Sequence, residues 1–314
     1  MAVELDIEAR SVCVGRYVLD IPARFKRQQK SIDSGGDATF YFGHDEDFTK
    51  VDATVIDVKG PDAFKSSVLA REAELRQRQN FSTDGSMLVS RESVSPDVEL
   101  ISFYASADST DAIRLEVHAL LENTHVVLGE TAYSADARTG IQSRLISVLS
   151  SLRNSDDSVG GGRGFCVGNI VFDLGNDYEE AEVSYVGSLD GIPVKLQLDI
   201  NTFEQAQDEP ALIERGEANL QGLGIRPERL KAGSRTLAGD AGDEWLGAFV
   251  DKGQRLHSFY VETRTRKPSH ESPKVLLSLS TGDEEAASHQ AGMDDGLAIA
   301  LWDRILGSIR KRAG

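Results

Sequence analysis

The stretch SVCVGRYVLDIPARF, from Ser11 to Phe25, decides how this chain is organised, because a similar stretch, GFCVGNIVFDLGND, returns from Gly164 to Asp177. Four of its residues recur at one constant spacing: Cys13, Val14, Gly15 and Asp20 reappear as Cys166, Val167, Gly168 and Asp173. Self-similarity at a fixed period is the mark of repeated structural units. Since this period is the size of a domain, the sequence predicts two tandem homologous domains and not a solenoid.

The length of the chain agrees with that division. At 314 residues it can form two hydrophobic cores of ordinary size. Between the copies runs a stretch of Gly, Ser and Asp that has neither apolar surface to bury nor backbone stiffness, as is typical of a linker. We therefore predict a first domain over residues 1–155, a linker over 156–163 and a second domain over 164–314.

The hydrophobic pattern changes along each copy in the same order. Apolar residues between Val12 and Ile21 predict a strand that stops at Pro22. Further strand-like runs precede a helix that begins near Pro61 in the first copy and near Pro210 in the second. Three more strands and a closing helix follow in each copy. This order predicts an α+β fold of two tandem homologous domains, each an antiparallel β-sheet with two helices packed on one face.

Composition and charge exclude several classes of partner. The chain is 40% apolar and 27% charged, and no run of about 18 apolar residues occurs, so we expect no membrane insertion. The net charge of −17 is evenly spread: residues 1–157 carry 17 basic and 26 acidic side chains, and residues 158–314 carry 17 and 25. Such a surface repels nucleic acid and anionic lipid and favours a basic partner.

Motifs for catalysis and cofactor binding are absent from the sequence. There is no G-x-S-x-G elbow, no H-E-x-x-H and no clustered His/Cys spacing. The glycine run from Gly160 to Gly164 lacks both the G-K-[S/T] ending and the dinucleotide spacing of a phosphate loop. His118 and His257 lie inside predicted strands, where a structural role is expected. The sequence therefore predicts no catalytic residue, no metal and no cofactor, and we expect that the protein is not an enzyme.

The only two cysteines, Cys13 and Cys166, occupy equivalent points of the two copies. One interpretation is an inter-domain disulfide, and the other is a pair of buried thiols of the kind common in protein cores. Sequence spacing does not decide between them, because a disulfide requires Cα atoms within about 7 Å.

Two acidic clusters are the remaining surface feature of the sequence: Asp45, Glu46 and Asp47 in the first copy, and Asp240, Asp243 and Glu244 in the second. One interpretation is that these are solvated loops that keep the protein soluble. The other is that they form negatively charged edges of a groove between two domains, suited to a basic protein surface.

Three stretches together identify a family resemblance: SVCVGRYVLDIP near the start, GFCVGNIVFDL at the repeat and ALWDRILGSIRKR at the end. With the two-copy layout, they resemble the immunity proteins that protect bacteria against type VI secretion phospholipase effectors. The resemblance implies a non-enzymatic inhibitor whose two domains close like a claw on the lid or cap of the cognate lipase. It also implies a one-to-one complex, a monomer when free, and action in the periplasm.

Two further alternatives concern localisation and function. The N-terminal MAVELDIEAR has no basic or apolar signal region, so a periplasmic protein requires that its signal was trimmed, and an untrimmed chain would be cytoplasmic. A periplasmic ligand-binding protein that uses the inter-domain cleft predicts an aromatic-lined pocket, although only 7% of the residues are aromatic. The third interpretation is an enzyme whose active site carries no recognisable sequence motif.

Overall fold

A computed structural model describes residues 7–43, 48–58, 60–155, 163–203, 210–215, 227–282 and 292–312. These residues form two compact units. Unit 1 holds the described residues of Met1–Gln28, Val159–Arg163 and Tyr178–Gly314, and unit 2 holds those of Gln29–Ser158 and Gly164–Asp177. The predicted linker lies, except for Arg163, outside the described residues.

The elements of each sequence copy follow one another in the same general order. The first copy contains β1 (Ala9–Gly15), β2 (Tyr17–Pro22), β3 (Lys26–Gln28), β4 (Ala38–Phe42), β5 (Thr49–Asp57), α1 (Pro61–Gln77), β6 (Gln79–Asn80), β7 (Gly85–Ser86), β8 (Leu88–Ser95), β9 (Val98–Ser106), β10 (Ser109–Leu121), β11 (Thr124–Ala132), α2 (Ala137–Ser150) and β12 (Leu152–Asn154). The second contains β13 (Phe165–Val167), β14 (Ile170–Phe172), β15 (Tyr178–Leu189), β16 (Ile192–Asn201), β17 (Glu228–Leu237), β18 (Asp240–Asp251), β19 (Gln254–Thr263), β20 (Lys274–Thr281), α3 (Asp295–Ser308) and β21 (Arg310–Lys311).

The repeated motif that opens each copy is a β-hairpin. The single strand that we predicted between Val12 and Ile21 is wrong, because the chain reverses at Gly15, whose φ is +60°. Gly168 has a φ of +58° at the same point of the β13–β14 hairpin. Each glycine is the first residue of a two-residue loop, a position where type II′ turns take glycine because other residues are strained at positive φ.

Both units are built on a six-stranded antiparallel sheet of the same strand order. In unit 2 the order is β4-β5-β11-β10-β9-β8, and in unit 1 it is β15-β16-β20-β19-β18-β17. If the six strands of each sheet are numbered in chain order, both sheets have the order one, two, six, five, four, three. The identical order confirms the α+β class and the tandem duplication at the level of topology.

The outermost strand of each sheet was missed by the sequence pattern. We predicted three strands after the first helix of each copy, whereas among the described residues four strands after that helix belong to each six-stranded sheet, with β8 and β17 at the sheet edges. Their sequences, LVSRESVS and ERLKAGSRTL, expose most of their residues. Charged and polar residues on an edge strand hinder pairing with other chains, and they also remove the apolar alternation by which a strand is recognised.

The helices of unit 2 pack on opposite faces of its sheet. Arg71 of α1 donates two hydrogen bonds to Glu116 of β10, and Arg144 of α2 donates two to Glu130 of β11. Glu130 lies opposite Leu115 in the strand register, so it shares the face of Leu115 and not that of Glu116. Our prediction of helices on one face is therefore wrong.

Each face of that sheet carries its own apolar layer. On one face, the buried side chains of α1 pack against the sheet and the segment before β8: Phe64, Val68, Leu75, Met87, Ile101 and Phe103. On the other, Phe165 and Phe172 of the β13–β14 hairpin contact Phe40 of β4, with ring centroids 5.2 and 4.8 Å away. The hairpin from the second copy therefore completes the core of unit 2.

Unit 1 is completed in the reciprocal way by the hairpin of the first copy. Strand β2 pairs with β21, and the backbone N–H of Asp20 donates to Ser308 Oγ over 2.8 Å at the end of α3. Trp302 of α3 packs edge-on against Phe259 of β19, with ring centroids 6.0 Å apart. The compact units thus differ from the predicted domains 1–155 and 164–314, because each contains the opening hairpin of the other copy.

The first predicted helix of copy two, which we expected to begin near Pro210, is described only in part. Residues 212–215 are helical, and Arg215 donates to Glu262 of β19 over 2.5 Å. The remainder of that helix, including Gly216 and Leu220, lies outside the described residues.

Candidate functional site

The first acidic cluster, Asp45, Glu46 and Asp47, lies outside the described residues. In the sequence it falls between β4 and β5. The two aromatic side chains that flank it, Tyr41 and Phe48, are stacked with ring centroids 5.3 Å apart.

The second cluster does not form one acidic edge. Glu244 is only 1% exposed, and its carboxylate accepts hydrogen bonds from Trp302 Nε1 over 2.9 Å and pairs with Lys231 Nζ over 2.7 Å. It therefore joins α3 to the sheet. The prediction that Glu244 forms part of a surface edge is wrong, because burial behind α3 leaves it no access to a partner.

The other two residues of this cluster are bound within unit 1. Asp243 accepts two hydrogen bonds from Arg264, at 2.9 and 2.5 Å, and these hold the pKa of Asp243 below its usual value. Asp240 pairs with Lys311 Nζ over 2.9 Å. Because Asp243 and Glu244 are neighbours on β18, their side chains point to opposite faces of the sheet. The local charge is therefore much reduced by internal pairing.

Strand order also places the two clusters at non-equivalent turns. The first cluster lies in the sequence between β4 and β5, which are strands one and two of their sheet. The second lies at the turn between β17 and β18, which are strands three and four of theirs. Strands one and four run in the same direction in this antiparallel order, and one turn follows strand one whereas the other precedes strand four. In the strand order that each unit has by itself, the end of strand one and the start of strand four therefore lie at opposite ends of the sheet, so the two clusters are not equivalent in the repeat.

Two cavities are lined by described residues, and neither is suited to a ligand. A shallow, open depression of about 390 Å³ is lined by Ser234, Arg235, Thr236, Ala241, Gly242 and Arg264. Its two arginines are paired with carboxylates, Arg235 with Asp303 over 2.8 Å and Arg264 with Asp243. A second space, of about 10 Å³ between α3 and β2, has room for no more than one water molecule. Neither space has the aromatic lining that a ligand-binding pocket would need.

A buried polar cluster in unit 2 joins α1 to the sheet. His118 Nδ1 lies 3.0 Å from His125 Nε2, and His118 Nε2 lies 3.3 Å from Glu116 Oε2. Burial, with a contribution from His118, lowers the pKa of His125 to about 3. Burial alone would raise the pKa of Glu116, but hydrogen bonds from His118 and Arg71 bring it to about 2. At neutral pH the cluster therefore holds an ionised carboxylate and a neutral His125.

A second buried histidine has partners that superficially resemble a catalytic relay. His257 Nδ1 lies 2.8 Å from Thr281 Oγ1, and its Nε2 lies 3.0 Å from Asp295 Oδ1. The Thr281 hydroxyl also accepts the backbone N–H of His257, and both residues are buried. A nucleophile must reach its substrate, and neither cavity described above touches this hydroxyl. The geometry therefore supports a structural role, in which His257 ties β19 to α3.

The part of the chain that the structure describes also contains no candidate metal site and no candidate membrane-spanning helix. There, no group of three or more His, Cys, Asp and Glu side chains is placed to hold a metal ion. No described helix has the length and apolar character needed to cross a membrane.

Both cysteines are buried, Cys13 in β1 and Cys166 in β13, and neither is a free thiol. Their pairing with each other stays a prediction. We expect non-reducing peptide mapping of protein from an oxidising compartment to recover the two cysteine peptides joined. Recovery of both as alkylated thiols would contradict it.

The structure reveals a group of exposed aromatic residues that the sequence analysis missed. Phe48, Phe81 and Tyr133 are 44%, 63% and 80% exposed. Among the described residues they are the only aromatic members of the set of large exposed hydrophobic side chains. No periodic signal marks them, because an isolated aromatic residue near a strand end is more often part of the core.

All three lie at one end of the unit 2 sheet, which we call the aromatic end (Phe48, Phe81 and Tyr133). In the antiparallel β5–β11 pair, Asp52 lies opposite Gly129. The start of β5, and with it Phe48, is therefore level with Tyr133. The β10–β11 register, with Ile113 opposite Ala132, places Tyr133 beside the start of β10. The β9–β10 turn lies at the same end, and the backbone N–H of Phe81 donates to Ala107 O in that turn over 2.7 Å.

Two family profiles together match nearly the whole chain. Residues 10–158 match the Tle cognate immunity protein 4 N-terminal domain, and residues 160–314 match the Tle cognate immunity protein 4 C-terminal domain. Among curated proteins no significant match is found.

Solved structures share the fold at low sequence identity. The apo immunity protein TplEi of the type VI secretion system (T6SS) from Pseudomonas aeruginosa is 20% identical, with 97% of both chains covered and a TM-score of 0.65. A chain of the Tle4–Tli4 complex is 19% identical, with 97% of both covered and a TM-score of 0.68. TplEi complexed with an "L" peptide is 18% identical, covering 97% of this chain and 98% of that one, with a TM-score of 0.62.

Proposed function

The chain belongs to the Tle cognate immunity protein 4 family and is a type VI secretion effector immunity protein. We propose that it neutralises a lipase effector by binding it one to one. The observation that carries this proposal is the match of both halves of the chain to the two domains of one immunity protein. A solved relative is described as a Tle4–Tli4 complex, which supports an effector protein as the partner.

The proposed mechanism is steric and needs no catalytic group. Each unit binds one area of the effector, and together they hold its lid or cap so that lipid does not reach the active site. Once the first unit has docked, binding by the second is intramolecular, which raises avidity by roughly 10²–10⁴. The inhibitor acts in the periplasm, where a delivered lipase meets the membrane, and it is a monomer when free.

Electrostatic attraction to a basic effector surface is part of the proposal. With a net charge of −17, the chain would attract such a surface over several ångströms before contact. Asp45, Glu46 and Asp47 stay candidates for that contact, as do Asp240 and Asp243 once they exchange their internal partners for the effector. Buried Glu244 is not among them.

A titration of lipid hydrolysis tests the proposal. A candidate cognate lipase effector from the source bacterium is mixed with increasing amounts of the intact protein, and we expect hydrolysis to end at one equivalent. An unrelated lipase and heat-unfolded inhibitor serve as controls. Full hydrolysis at a tenfold excess of folded protein would contradict the proposed function, and an endpoint at two equivalents would contradict the one-to-one complex.

A further inference from the structure

Phe81 is presented to solvent by a rigid loop between α1 and β8. The residue before it, Asn80, is fully buried, and its side-chain amide donates to the carbonyl oxygens of Ser106 and Ser109, each over 3.0 Å. Its amide oxygen accepts the backbone N–H groups of Ser82 and Thr83 over 3.0 and 3.1 Å. A single buried side chain thus fixes both the loop and the β9–β10 turn.

This bracing removes a cost that binding would otherwise carry. An exposed phenyl ring on a mobile loop loses conformational freedom when it docks, whereas a ring on a braced loop loses little. The backbone hydrogen bond from Phe81 to Ala107 adds a further restraint at the ring's own residue. Large aromatic side chains held in this way are the typical anchors of protein interfaces.

Tyr133 is restrained by the sheet itself. It directly follows Ala132, the last residue of β11, which pairs with Ile113. Four residues further on, α2 begins, and the backbone N–H of Ala137 donates to Ser134 Oγ over 3.2 Å. Strand and helix therefore leave Tyr133 in a short connection. Only β10 lies between β11 and β9 in the sheet, so Tyr133 and the β9–β10 turn that Phe81 contacts are at the same sheet end.

Three acidic residues lie in the loop of Phe81 and near the turn that its backbone contacts. Asp84 follows Phe81 in the same loop, Asp108 lies in the β9–β10 turn, and Asp111 lies at the start of β10. All three are exposed, and none of their carboxylates makes an ion pair with another described residue. This distinguishes them from Asp240 and Asp243, which are neutralised by internal partners. An apolar centre with an unpaired acidic rim is complementary to an apolar depression with a basic rim.

We infer that the aromatic end of unit 2 binds the effector protein, with Phe81 and Tyr133 entering an apolar depression whose rim carries Lys or Arg. This inference rests on the proposed function and assigns it a surface. The acidic rim favours a protein over the other two occupants, because it repels anionic lipid and also repels the same rim of a second copy.

Serine substitutions at the two anchors test the inference in the intact chain. Phe81→Ser and Tyr133→Ser, singly and together, are compared with the wild type for binding to the same lipase effector, immobilised on a surface. We expect the double variant to bind at least about 30-fold more weakly, the change that an interface hot spot produces, with most of the loss in the dissociation rate. Circular dichroism and the midpoint of thermal unfolding verify that the variants fold.

Matched controls use exposed apolar side chains elsewhere. Val94→Ser alters β8 at the opposite end of the same sheet, and Val250→Ser alters unit 1, at residues that are 50% and 64% exposed. We expect each to change affinity by less than about threefold, because peripheral or uninvolved positions contribute little. A further variant, Asp84→Asn with Asp108→Asn and Asp111→Asn, should slow association severalfold and reduce its dependence on salt.

The outcomes separate this inference from the function on which it rests. If the wild type fails to bind or inhibit the effector, the proposed function fails. If the wild type binds and the folded double variant binds equally well, the inference is overturned and the proposed function stands. A wild-type dimer in sedimentation that the double variant loses would assign the surface to a second copy. Binding to phosphatidylethanolamine–phosphatidylglycerol vesicles that the double variant loses would assign it to membrane, and either result overturns the inference.

Discussion

At the scale of single residues, the most informative side chains are buried polar groups that join helices to sheets. Glu116 accepts hydrogen bonds from Arg71 of α1, and Glu244 accepts one from Trp302 of α3. Burial of such groups is costly unless every partner is present, so each makes the position of its helix strongly specific. These groups hold the helices in place on the sheets, and this role has measurable consequences for stability.

The first consequence is a dependence of stability on pH. The pKa of His125 is about 3 in the fold, compared with about 6.5 for an exposed imidazole. As the pH falls below about 6.5, the unfolded chain takes up a proton that the folded chain does not, so the folded state loses stability. Glu116, with a pKa of about 2, adds a loss in the same direction below about 4.5.

We therefore expect the free energy of unfolding to fall by about 1.4 kcal/mol per pH unit between pH 6 and 5 through His125. Urea unfolding at several pH values measures the slope, and His125→Gln should flatten it. His270→Gln, at a half-buried histidine, controls for the loss of one imidazole. An equal slope in wild type and His125→Gln would refute this assignment.

The second consequence separates Glu244 from its neighbour Asp243. Glu244→Ala leaves the Trp302 N–H buried without its acceptor, which should cost about 1–3 kcal/mol of unfolding free energy. Asp243→Ala removes a pair with the half-exposed Arg264, which should cost about 0–1 kcal/mol. Chemical denaturation compares the two alanine variants directly. A smaller loss for Glu244→Ala than for Asp243→Ala would mean that the indole contact is not stabilising.

At the scale of elements, the opening hairpins determine which segments of the chain make up each compact unit. The β1–β2 hairpin buries Val14, Tyr17, Leu19 and Ile21 in unit 1, although it belongs to the first copy in sequence. Each buried apolar side chain of that size contributes roughly 1.5–3 kcal/mol. Since a typical domain is stable by only about 5–15 kcal/mol, the loss of one hairpin is severe.

We therefore expect residues 1–158 and 159–314, produced separately, to be poorly folded, and their mixture to recover a folded complex. In each half the core lacks the hairpin that the other half carries. Size-exclusion chromatography and near-ultraviolet circular dichroism follow the recovery, and two copies of one half provide the control. Independent cooperative unfolding of both halves at the midpoint of the intact protein would show that the hairpins are dispensable.

At the scale of the whole molecule, the evenly distributed acidic charge affects the association with a partner more than it affects the fold. The net charge of −17 is shared between two homologous halves, so no single tail accounts for it. Surface charge of this kind acts through the on-rate, because it steers the approach of an oppositely charged partner and is screened by salt within about 10 Å at 0.1 M.

Association with the effector lipase should consequently depend on ionic strength. Between about 0.05 and 0.5 M sodium chloride we expect the association rate to fall roughly tenfold, while the dissociation rate changes by less than about threefold. Stopped-flow or surface binding measurements resolve the two rates, with sucrose as an uncharged control for viscosity. A salt-independent association rate would remove electrostatic steering from the proposed mechanism.

The duplication, the α+β class and the general order of elements could all be predicted from the amino-acid sequence. These features depend on local patterns: the C-V-G repeat that contains the hairpin glycines Gly15 and Gly168, the alternation along buried strands and the proline at the start of α1. Local patterns report which face of an element is apolar. They do not report what covers that face.

The remaining features depend on contacts between residues that are far apart in the sequence. The edge strands β8 and β17 escaped detection because their polar sequences reflect exposure, which is known only once the sheet order is known. Glu244 looked like part of an acidic surface until Trp302, far away in the sequence, was found to donate to it. The exchange of hairpins and the convergence of Phe81 and Tyr133 at one sheet end likewise arise from residues that meet only after folding, because strand pairing joins segments without regard to their separation along the chain.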